Sequence, residues 1–243
     1  MQAIPEFRRV PARHGWLWIK QAFGLFKQNP LIWIVLSVSI FLLAGLLGII
    51  PRIGSVVFQL ISPAFTAGLM LGCKAMEAGE ELEIAHLFAG FKSHGAQLVT
   101  VGGIYLVGLI LIAGVMTALG GGALVTMMLQ GHPDAGNMAT PAMLGSGAGL
   151  AVLVALALLM PLLMAYWFAP TLVVFRNMGA VAAMKLSMRA AWANMVPFLM
   201  YGIIMFVLFV IAAMPLMLGF LIMLPLAFIT YYTTYKDVFD VTG

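Results

Sequence analysis

The chain has 243 residues, of which 63% are hydrophobic and 8% are charged, and its mean hydropathy is +1.09. In a water-soluble domain about a quarter of the residues are charged. This composition therefore excludes a water-soluble domain and indicates a membrane protein. Because a transmembrane helix needs about 20 apolar residues, the chain has room for several spans and none for a large extramembrane domain.

The net charge of +4 and the single cysteine limit the kinds of partner and site that the protein can have. Basic residues set the orientation of a multi-span protein in the bilayer, so we expect no nucleic-acid partner. Cys73 alone cannot form an intrachain disulfide or a multi-cysteine metal site. The first thirty residues carry five cations and no apolar core that ends in a small-residue cleavage site, so we expect no cleaved signal peptide.

Apolar runs along the chain predict six spans. Residues 31–50 contain no charge and, at about 1.5 Å per residue, cross the hydrocarbon. The last run, residues 196–229, has 34 residues and is too long for one crossing. Pro215 predicts its break near Met214, because proline lacks the N–H that would continue a helix. The predicted spans are residues 31–50, 53–73, 98–119, 150–175, 196–213 and 216–233.

Lysine and arginine positions predict the orientation. With six spans, eleven of the twelve cations lie on the side of the termini and only Arg52 lies on the other. Cytoplasmic loops carry the excess of Lys and Arg, so both termini are predicted to be cytoplasmic. If the last two spans were one helix, Lys236 would move outside, and five spans remains the alternative.

A short amphipathic segment precedes each odd-numbered span and suggests a repeated unit. Each unit would be an interfacial helix followed by a two-span hairpin whose returning span contains a proline. The three apolar faces are Trp16, Ile19, Phe23 and Phe26; Ile84, Leu87, Phe88 and Phe91; and Val181, Met184, Met188 and Trp192. The prolines are Pro63, Pro170 and Pro225. The predicted fold is therefore an all-α polytopic membrane domain over residues 1–243, built from three such hairpins, with residues 1–30 as a cytoplasmic N-terminal segment.

Three stretches carry a family resemblance: residues 87–92 (LFAGFK), residues 166–170 (YWFAP) and residues 231–239 (YYTTYKDVF). With them, nearly the whole chain resembles an uncharacterised family of six-span proteobacterial inner-membrane proteins. The layout is more distantly similar to the membrane domain of some glycerophosphodiester phosphodiesterases, although nothing corresponds to a catalytic barrel. The resemblance implies the fold and an inner-membrane location and transfers no functional residue.

Motifs for catalysis, metal binding or cofactor binding do not occur in the sequence. The predicted spans contain no ionisable acid or base of the kind that marks ion pathways. The four histidines lack the spacing that places two ligands on one helix face, and no nucleophile elbow or phosphate-binding glycine loop is present. We therefore expect no enzyme, no cofactor and no metal site. His86 with Glu81 and Glu83 leaves a lipid-modifying enzyme as a third hypothesis.

Two sets of residues are candidates for function. The flanks of the first and third amphipathic segments carry cations that would face the anionic cytoplasmic leaflet, and these predict a lipid or partner-protein surface. Membrane phospholipids, a protein partner or a second copy of the chain are the expected partners. The first set is Arg13, Lys20, Lys27, Lys185 and Arg189. The leading hypothesis is an accessory, assembly or envelope-organising protein of the inner membrane.

The second set consists of polar residues inside the spans, namely Gln59, Tyr105 and Tyr201. They could line a cavity for a neutral or amphipathic solute, which leaves a small transporter or channel as the alternative. Side chains of this kind also form helix–helix hydrogen bonds. Gly68 and Gly72, at Gly-x-x-x-Gly spacing, predict a close helix contact. The connector of residues 120–149 is predicted to be a linker that could hold a short helix.

Overall fold

The computed structural model describes residues 7–50, 53–130 and 147–239, and at residues 127–130 it describes the backbone only. Throughout these ranges the regular structure is helical. The α-helices are α1 (His14–Phe26), α2 (Pro30–Gly48), α3 (Ile53–Glu77), α4 (Ala89–Met116), α5 (Gly122–Gln130), α6 (Gly149–Trp167), α7 (Ala169–Arg176), α8 (Ala180–Ala193), α9 (Met195–Ala213) and α10 (Phe220–Phe239). A 3-10 turn (Ile84–Phe88) precedes α4 and a π-turn (Thr117–Gly121) follows it.

Five helical stretches in the described ranges are long and apolar enough to span a membrane. They are Pro30–Gly48, Ile53–Glu77, Ile84–Thr126, Gly149–Arg176 and Met195–Ala213. They overlap the first five predicted spans, and the third stretch is much longer than the span predicted at residues 98–119. The sixth, α10, is absent from this set because its second half is rich in Thr and Tyr and carries Lys236 and Asp237.

The last apolar run is interrupted next to Pro215, as the sequence predicts. Helix α9 ends at Ala213 and α10 begins at Phe220. Between them Leu216 and Met217 adopt left-handed backbone angles, with φ of 51° and 65°. Residues 196–229 therefore do not form one helix.

The chain divides into two compact units, residues 1–103 with 165–243 and residues 104–164. In the first unit α10 is central, since it packs against α1, α2, α3, α7 and α9. The three helices that return toward the chain's basic loops, α3, α7 and α10, contact one another. Their prolines, Pro63, Pro170 and Pro225, are all buried.

The short segments that precede the spans pack in a cyclic order within this first unit. The turn Ile84–Phe88 lies on α3, α8 lies on α7, and α1 lies on α10. Each segment therefore contacts the returning helix of the preceding repeat, and α1 closes the circle onto the last one. The arrangement of three repeated hairpins stays a prediction.

The junction between segment and span is also repeated. Asn29 precedes α2 with φ −149° and ψ 62°, and Asn194 precedes α9 with φ −115° and ψ 30°. His94 interrupts α4 with φ −141° and ψ 33°. These non-helical angles interrupt the helical hydrogen bonds. At all three positions the chain therefore changes direction between the short segment and the long apolar helix that follows it.

The predicted apolar faces of the segments are split in the structure. On α1, Ile19 and Phe26 are buried whereas Trp16 and Phe23 are exposed. On α8, Met184 is buried whereas Trp192 is exposed. The prediction that each apolar face lies on the membrane was wrong in this respect, because one side of each segment packs against the hairpins. The second segment is a 3-10 turn followed by the first turn of α4, not one amphipathic helix.

Gly68 and Gly72 do mark a close contact, but their neighbours belong to the turn Ile84–Phe88 and the residues before it and not to a second α-helix. A Cβ at Gly68 would lie 2.4 Å from the His86 carbonyl oxygen, and one at Gly72 would lie 2.7 Å from Leu82 Cδ1. These contacts lie within one chain, as expected.

The second unit contains the ends of α4 and α6, the π-turn and α5. Gly120 in the π-turn has φ 93°, which a residue with a side chain rarely adopts. A Cβ at Gly121 would lie 3.0 Å from the Ala151 Cβ, so the turn packs closely against the start of α6. The predicted connector therefore contains helix α5, and its residues 131–146, with His132 and Asp134, lie outside the described residues.

Candidate functional site: a buried carboxylate and an exposed cationic surface

Helix α1 lies against α9 and α10, and this position is set by small and apolar residues. A Cβ at Gly15 would lie 2.5 Å from the Pro197 carbonyl oxygen, so the two helix backbones approach closely. On the same side Trp18 is fully buried and its ring lies 5.1 Å from that of Phe198. Packing therefore fixes which face of α1 points outward.

The carboxylate of Asp237, on α10, is the centre of a buried polar cluster. Trp18 Nε1–H donates to Asp237 Oδ2 at 2.7 Å, and His14 Nδ1 lies 2.7 Å from the same oxygen. Arg8 Nη2 donates to Oδ1 at 2.5 Å, and its Nε donates to the Asp237 carbonyl oxygen. Asp237 is 8% exposed. One buried carboxylate thus connects the start of the chain to its last helix.

Asn194 connects the same N-terminal segment to the junction between α8 and α9. Its Oδ1 accepts from the Val10 N–H at 2.8 Å, and its Nδ2 donates to the Arg8 carbonyl at 3.0 Å. His94, at the equivalent junction, has Nε2 at 2.9 Å from Asn177 Oδ1, which precedes α8. In both places the junction residue contacts the residues that lead into the next segment.

Cations at the ends of the returning helices also have partners inside the molecule. Lys236 Nζ donates to Glu77 Oε2 at 2.7 Å, and the Tyr232 hydroxyl donates to the same oxygen at 2.8 Å. Arg176 Nη2 donates to the Phe239 carbonyl at 2.8 Å. These groups hold α3, α7 and α10 together at one end.

A different set of cations lies on the outer faces of α1 and α8. On α1 the exposed residues recur every three or four positions, which places them in one stripe, and α8 has a similar stripe. We call these two stripes together the cationic surface. Its residues are Trp16, Lys20 and Phe23 on α1 with Arg13 and Lys27 directly before and after that helix, and Val181, Lys185, Met188, Arg189 and Trp192 on α8.

The stretches of sequence that carry the cationic surface contain no carboxylate side chain. The sequence has no Asp or Glu between Glu6 and Glu77, and none between Asp134 and Asp237. Among the described residues Lys27 Nζ lies 5.3 Å from the Phe23 ring centroid, a cation–π contact that leaves the charge uncompensated. Asn194 holds Arg8 and Val10 next to the end of α8, so the residues that lead into α1 begin beside α8.

The three polar residues predicted to line a cavity lie on three different helices. Tyr201 is buried, and its hydroxyl lies 2.7 Å from Thr230 Oγ1. Gln59 is half-buried on α3, and its carbonyl oxygen accepts from Ser62 Oγ at 3.2 Å. Tyr105 is half-buried on α4 in the second unit. Their predicted role as a solute cavity stays a prediction.

His86 and Glu83 form a capping arrangement at the turn Ile84–Phe88. The Glu83 N–H donates to His86 Nδ1 at 3.0 Å, and the Glu83 side chain accepts from the His86 backbone. These contacts start the 3-10 turn. Over the described ranges no group of three His, Cys, Asp or Glu residues is placed to hold a metal ion.

Sequence reasoning missed the Asp237 cluster. Asp237 lies beyond the last predicted span, and its partners are more than 200 positions away, with separations of 229, 223 and 219. One signal was available, because Asp237 and Asp240 are the only carboxylate side chains after Asp134. A lone acid opposite many cations is a candidate for an internal ion pair.

Comparison with known proteins gives one informative match. The chain is 30% identical over 253 aligned positions to a probable inner membrane protein of Burkholderia thailandensis, covering 96% of this chain and 93% of that protein. No protein-family model matches the chain, and no solved structure matches it. The distant likeness to the membrane domain of glycerophosphodiester phosphodiesterases therefore gains no support.

Proposed function

The chain belongs to the family of the Burkholderia thailandensis inner membrane protein and is a multi-pass helical protein of the inner membrane, and from this premise we propose that it is non-enzymatic. It would act as an accessory, assembly or envelope-organising factor through contacts with lipids or proteins. We also propose that it crosses the membrane six times with both termini in the cytoplasm, as its charge distribution predicts.

The observation that carries this proposal is the cationic surface. It exposes two tryptophans, Trp16 at 54% and Trp192 at 65%, beside cations on rigidly packed helices. Exposed aromatic and basic residues on one face are the composition of interaction surfaces. By contrast, the buried polar groups of Asp237 and Asn194 are occupied by internal hydrogen bonds, which favours a structural role for them.

Site-specific photo-crosslinking in cells tests the proposal. A benzophenone amino acid replaces Trp16 or Trp192 in the full chain, and the crosslinked products are identified by mass spectrometry. The matched control replaces Leu216, which is 90% exposed in the turn before α10 and lies outside the cationic surface. We expect the two tryptophan positions to give a defined set of lipid or protein products that the control position does not give.

Formation of these crosslinked products should depend on the positive charge of the cationic surface. We expect a chain with serine at the five cations of the surface to insert normally and to lose these products. Identical products from Trp16, Trp192 and Leu216 would overturn the proposal. Solute flux in proteoliposomes that Tyr201→Phe or Gln59→Leu reduces would instead support the transporter alternative.

A further inference from the structure

We propose that the occupant of the cationic surface is anionic glycerophospholipid of the leaflet that α1 and α8 face. This inference rests on the proposed function and names the partner of the same surface. Three observations carry it. The outward face of the two helices is fixed, only a few residues separate each helix from the spanning helix that follows it, and the surface contains cations and aromatic residues.

The outward face of each helix is fixed because the opposite face is occupied. On α1, Gly15 and Trp18 pack against α9, and the Trp18 carbonyl accepts from Thr233 Oγ1 at 3.1 Å. On α8, Ser187 is fully buried and its Oγ accepts from the Phe168 N–H at 2.9 Å. Neither helix can rotate its cations inward without breaking these contacts.

The surface lies close to the ends of the spans. Helix α1 ends at Phe26 and the spanning helix α2 begins at Pro30, while α8 ends at Ala193 and α9 begins at Met195. The junction residues Asn29 and Asn194 interrupt the helix, so α1 and α8 are not extensions of the spans. Segments this near to a span end are at the level of lipid headgroups.

The chemistry of the surface matches an anionic headgroup above acyl chains. Lysine and arginine attract lipid phosphates, and tryptophan places its ring at the boundary between headgroup and hydrocarbon. Arg8, Arg176 and Lys236, whose acceptors lie inside the molecule, are not part of this surface. No acid occurs along α1 and α8, and the exposed charges of Arg13, Lys20, Lys27 and Lys185 face outward, where an external anion can reach them.

A phospholipid fits this surface better than an acidic protein. Bilayer lipid necessarily surrounds the start of α2 and of α9, whereas a protein would have to displace it. The exposed Val181 and Met188 on α8 also offer aliphatic area between the cations, at 54% and 40% exposure, which suits acyl chains. A protein partner is therefore treated as an outcome of the test.

The test measures which lipids the full-length protein keeps. Protein is reconstituted in nanodiscs with equal amounts of phosphatidylglycerol and phosphatidylcholine, released, and examined by native mass spectrometry. We expect retained phosphatidylglycerol to exceed phosphatidylcholine by at least about fivefold, since one surface cation contributes about that factor in lipid attraction. A variant with serine at Arg13, Lys20, Lys27 and Lys185 should lose this preference.

Two control variants keep the result interpretable. A variant with arginine at Lys20, Lys27 and Lys185 preserves the charge and should preserve the preference. Arg52→Ser removes one cation that the sequence predicts on the opposite side, and it should also preserve it. Equal retention of both lipids by the wild-type protein, or an unchanged preference in the serine variant, would overturn the inference.

The two proposals fail in different ways. If the lipid preference is absent while Trp16 and Trp192 still crosslink a defined protein, the lipid assignment is wrong and the proposed function stands. If neither result is obtained, both fail. Correct folding of the serine variant is checked by its monodisperse elution and its thermal midpoint, so a loss of preference is not mistaken for unfolding.

Discussion

Asp237 shows how one carboxylate stabilises a membrane protein when both of its oxygens have hydrogen-bond partners. Its side-chain oxygens are close to groups of Arg8, His14 and Trp18. Removal of a buried charge that is fully paired costs more than the pair contributes, because its partners then lack an acceptor. The exposed pair of Glu77 and Lys236 is expected to contribute much less.

Replacing Asp237 with alanine should therefore destabilise the protein by about 2–4 kcal/mol, since the Trp18 N–H and the His14 ring lose their acceptor. Glu77→Gln is the matched control and should cost less than about 1 kcal/mol. The free energy of unfolding in detergent micelles measures both. Equal effects of the two substitutions would contradict a central role for Asp237.

Buried hydroxyl groups allow a second comparison at this scale. Ser37 and Thr171 are buried, and their hydroxyl oxygens have no hydrogen-bond partner among the residues described. Ser187 is equally buried, but its Oγ accepts from the Phe168 N–H. A buried hydroxyl without a partner incurs a desolvation cost that an apolar side chain avoids.

Ser37→Ala should accordingly stabilise the protein by about 1 kcal/mol, and Thr171→Val should act in the same direction. Ser187→Ala should destabilise it by a similar amount, because it leaves a buried N–H without an acceptor. Thermal midpoints of the three variants in one detergent give the comparison. A loss of stability in Ser37→Ala would show that this hydroxyl has a partner.

At the scale of elements, α1 is the helix that closes the cyclic packing. Its buried face contacts α9 and α10 while its outer face carries three cations of the cationic surface. Gly15 permits the closest of these contacts, whereas Gly24, nine positions later, faces open space. Substitutions at these two glycines therefore distinguish the effect of helix packing on stability from the effect of helix propensity.

Gly15→Ala should destabilise the protein by about 1–3 kcal/mol, because the new methyl group would overlap the Pro197 carbonyl and the Tyr201 N–H. Gly24→Ala should stabilise it by up to about 1 kcal/mol, since alanine favours the helix and meets no neighbour. Limited proteolysis near residue 14 gives a second readout. Faster cleavage in Gly15→Ala only would confirm that α1 detaches.

At the scale of the whole molecule, the number of crossings depends on α10. Its apolar first half follows the turn at residues 214–219, and its polar second half is buried among α1, α2, α3 and α7. Protein contacts thus shield the Thr and Tyr side chains that lower its hydropathy. This burial supports the proposal that α10 crosses the membrane although it is less apolar than the other spans.

Cysteine labelling tests the six-span arrangement. Cys73, the chain's only cysteine, is buried and should give little background. We expect a membrane-impermeant maleimide to label Leu216→Cys in intact spheroplasts. Arg9→Cys and Thr242→Cys should be labelled only after lysis, because both termini are predicted to be cytoplasmic. Labelling of Thr242→Cys in intact spheroplasts would favour five crossings.

Local patterns in the sequence determined the helical class, the first five spans and the break near Pro215, because the hydrophobic length of a helix and the backbone restriction of proline act within a few residues. The cations of the cationic surface were also recognisable, since their spacing on a helix is local. Their position on the outer face was not predictable from the sequence, because the residue pattern of α1 allows either of two adjacent faces to be buried. In the structure, packing buries the face that contains Ile19 and Phe26.

Only the tertiary structure decided the Asp237 cluster, the cyclic packing of the segments and the role of Asn194. These features join residues from opposite ends of the chain, and a polar side chain near a terminus has the same local sequence whether it is solvated or buried. Its energy depends on which donors the fold brings to it. For Asp237 those donors are Arg8, His14 and Trp18, which reach it only once α1 packs on α10.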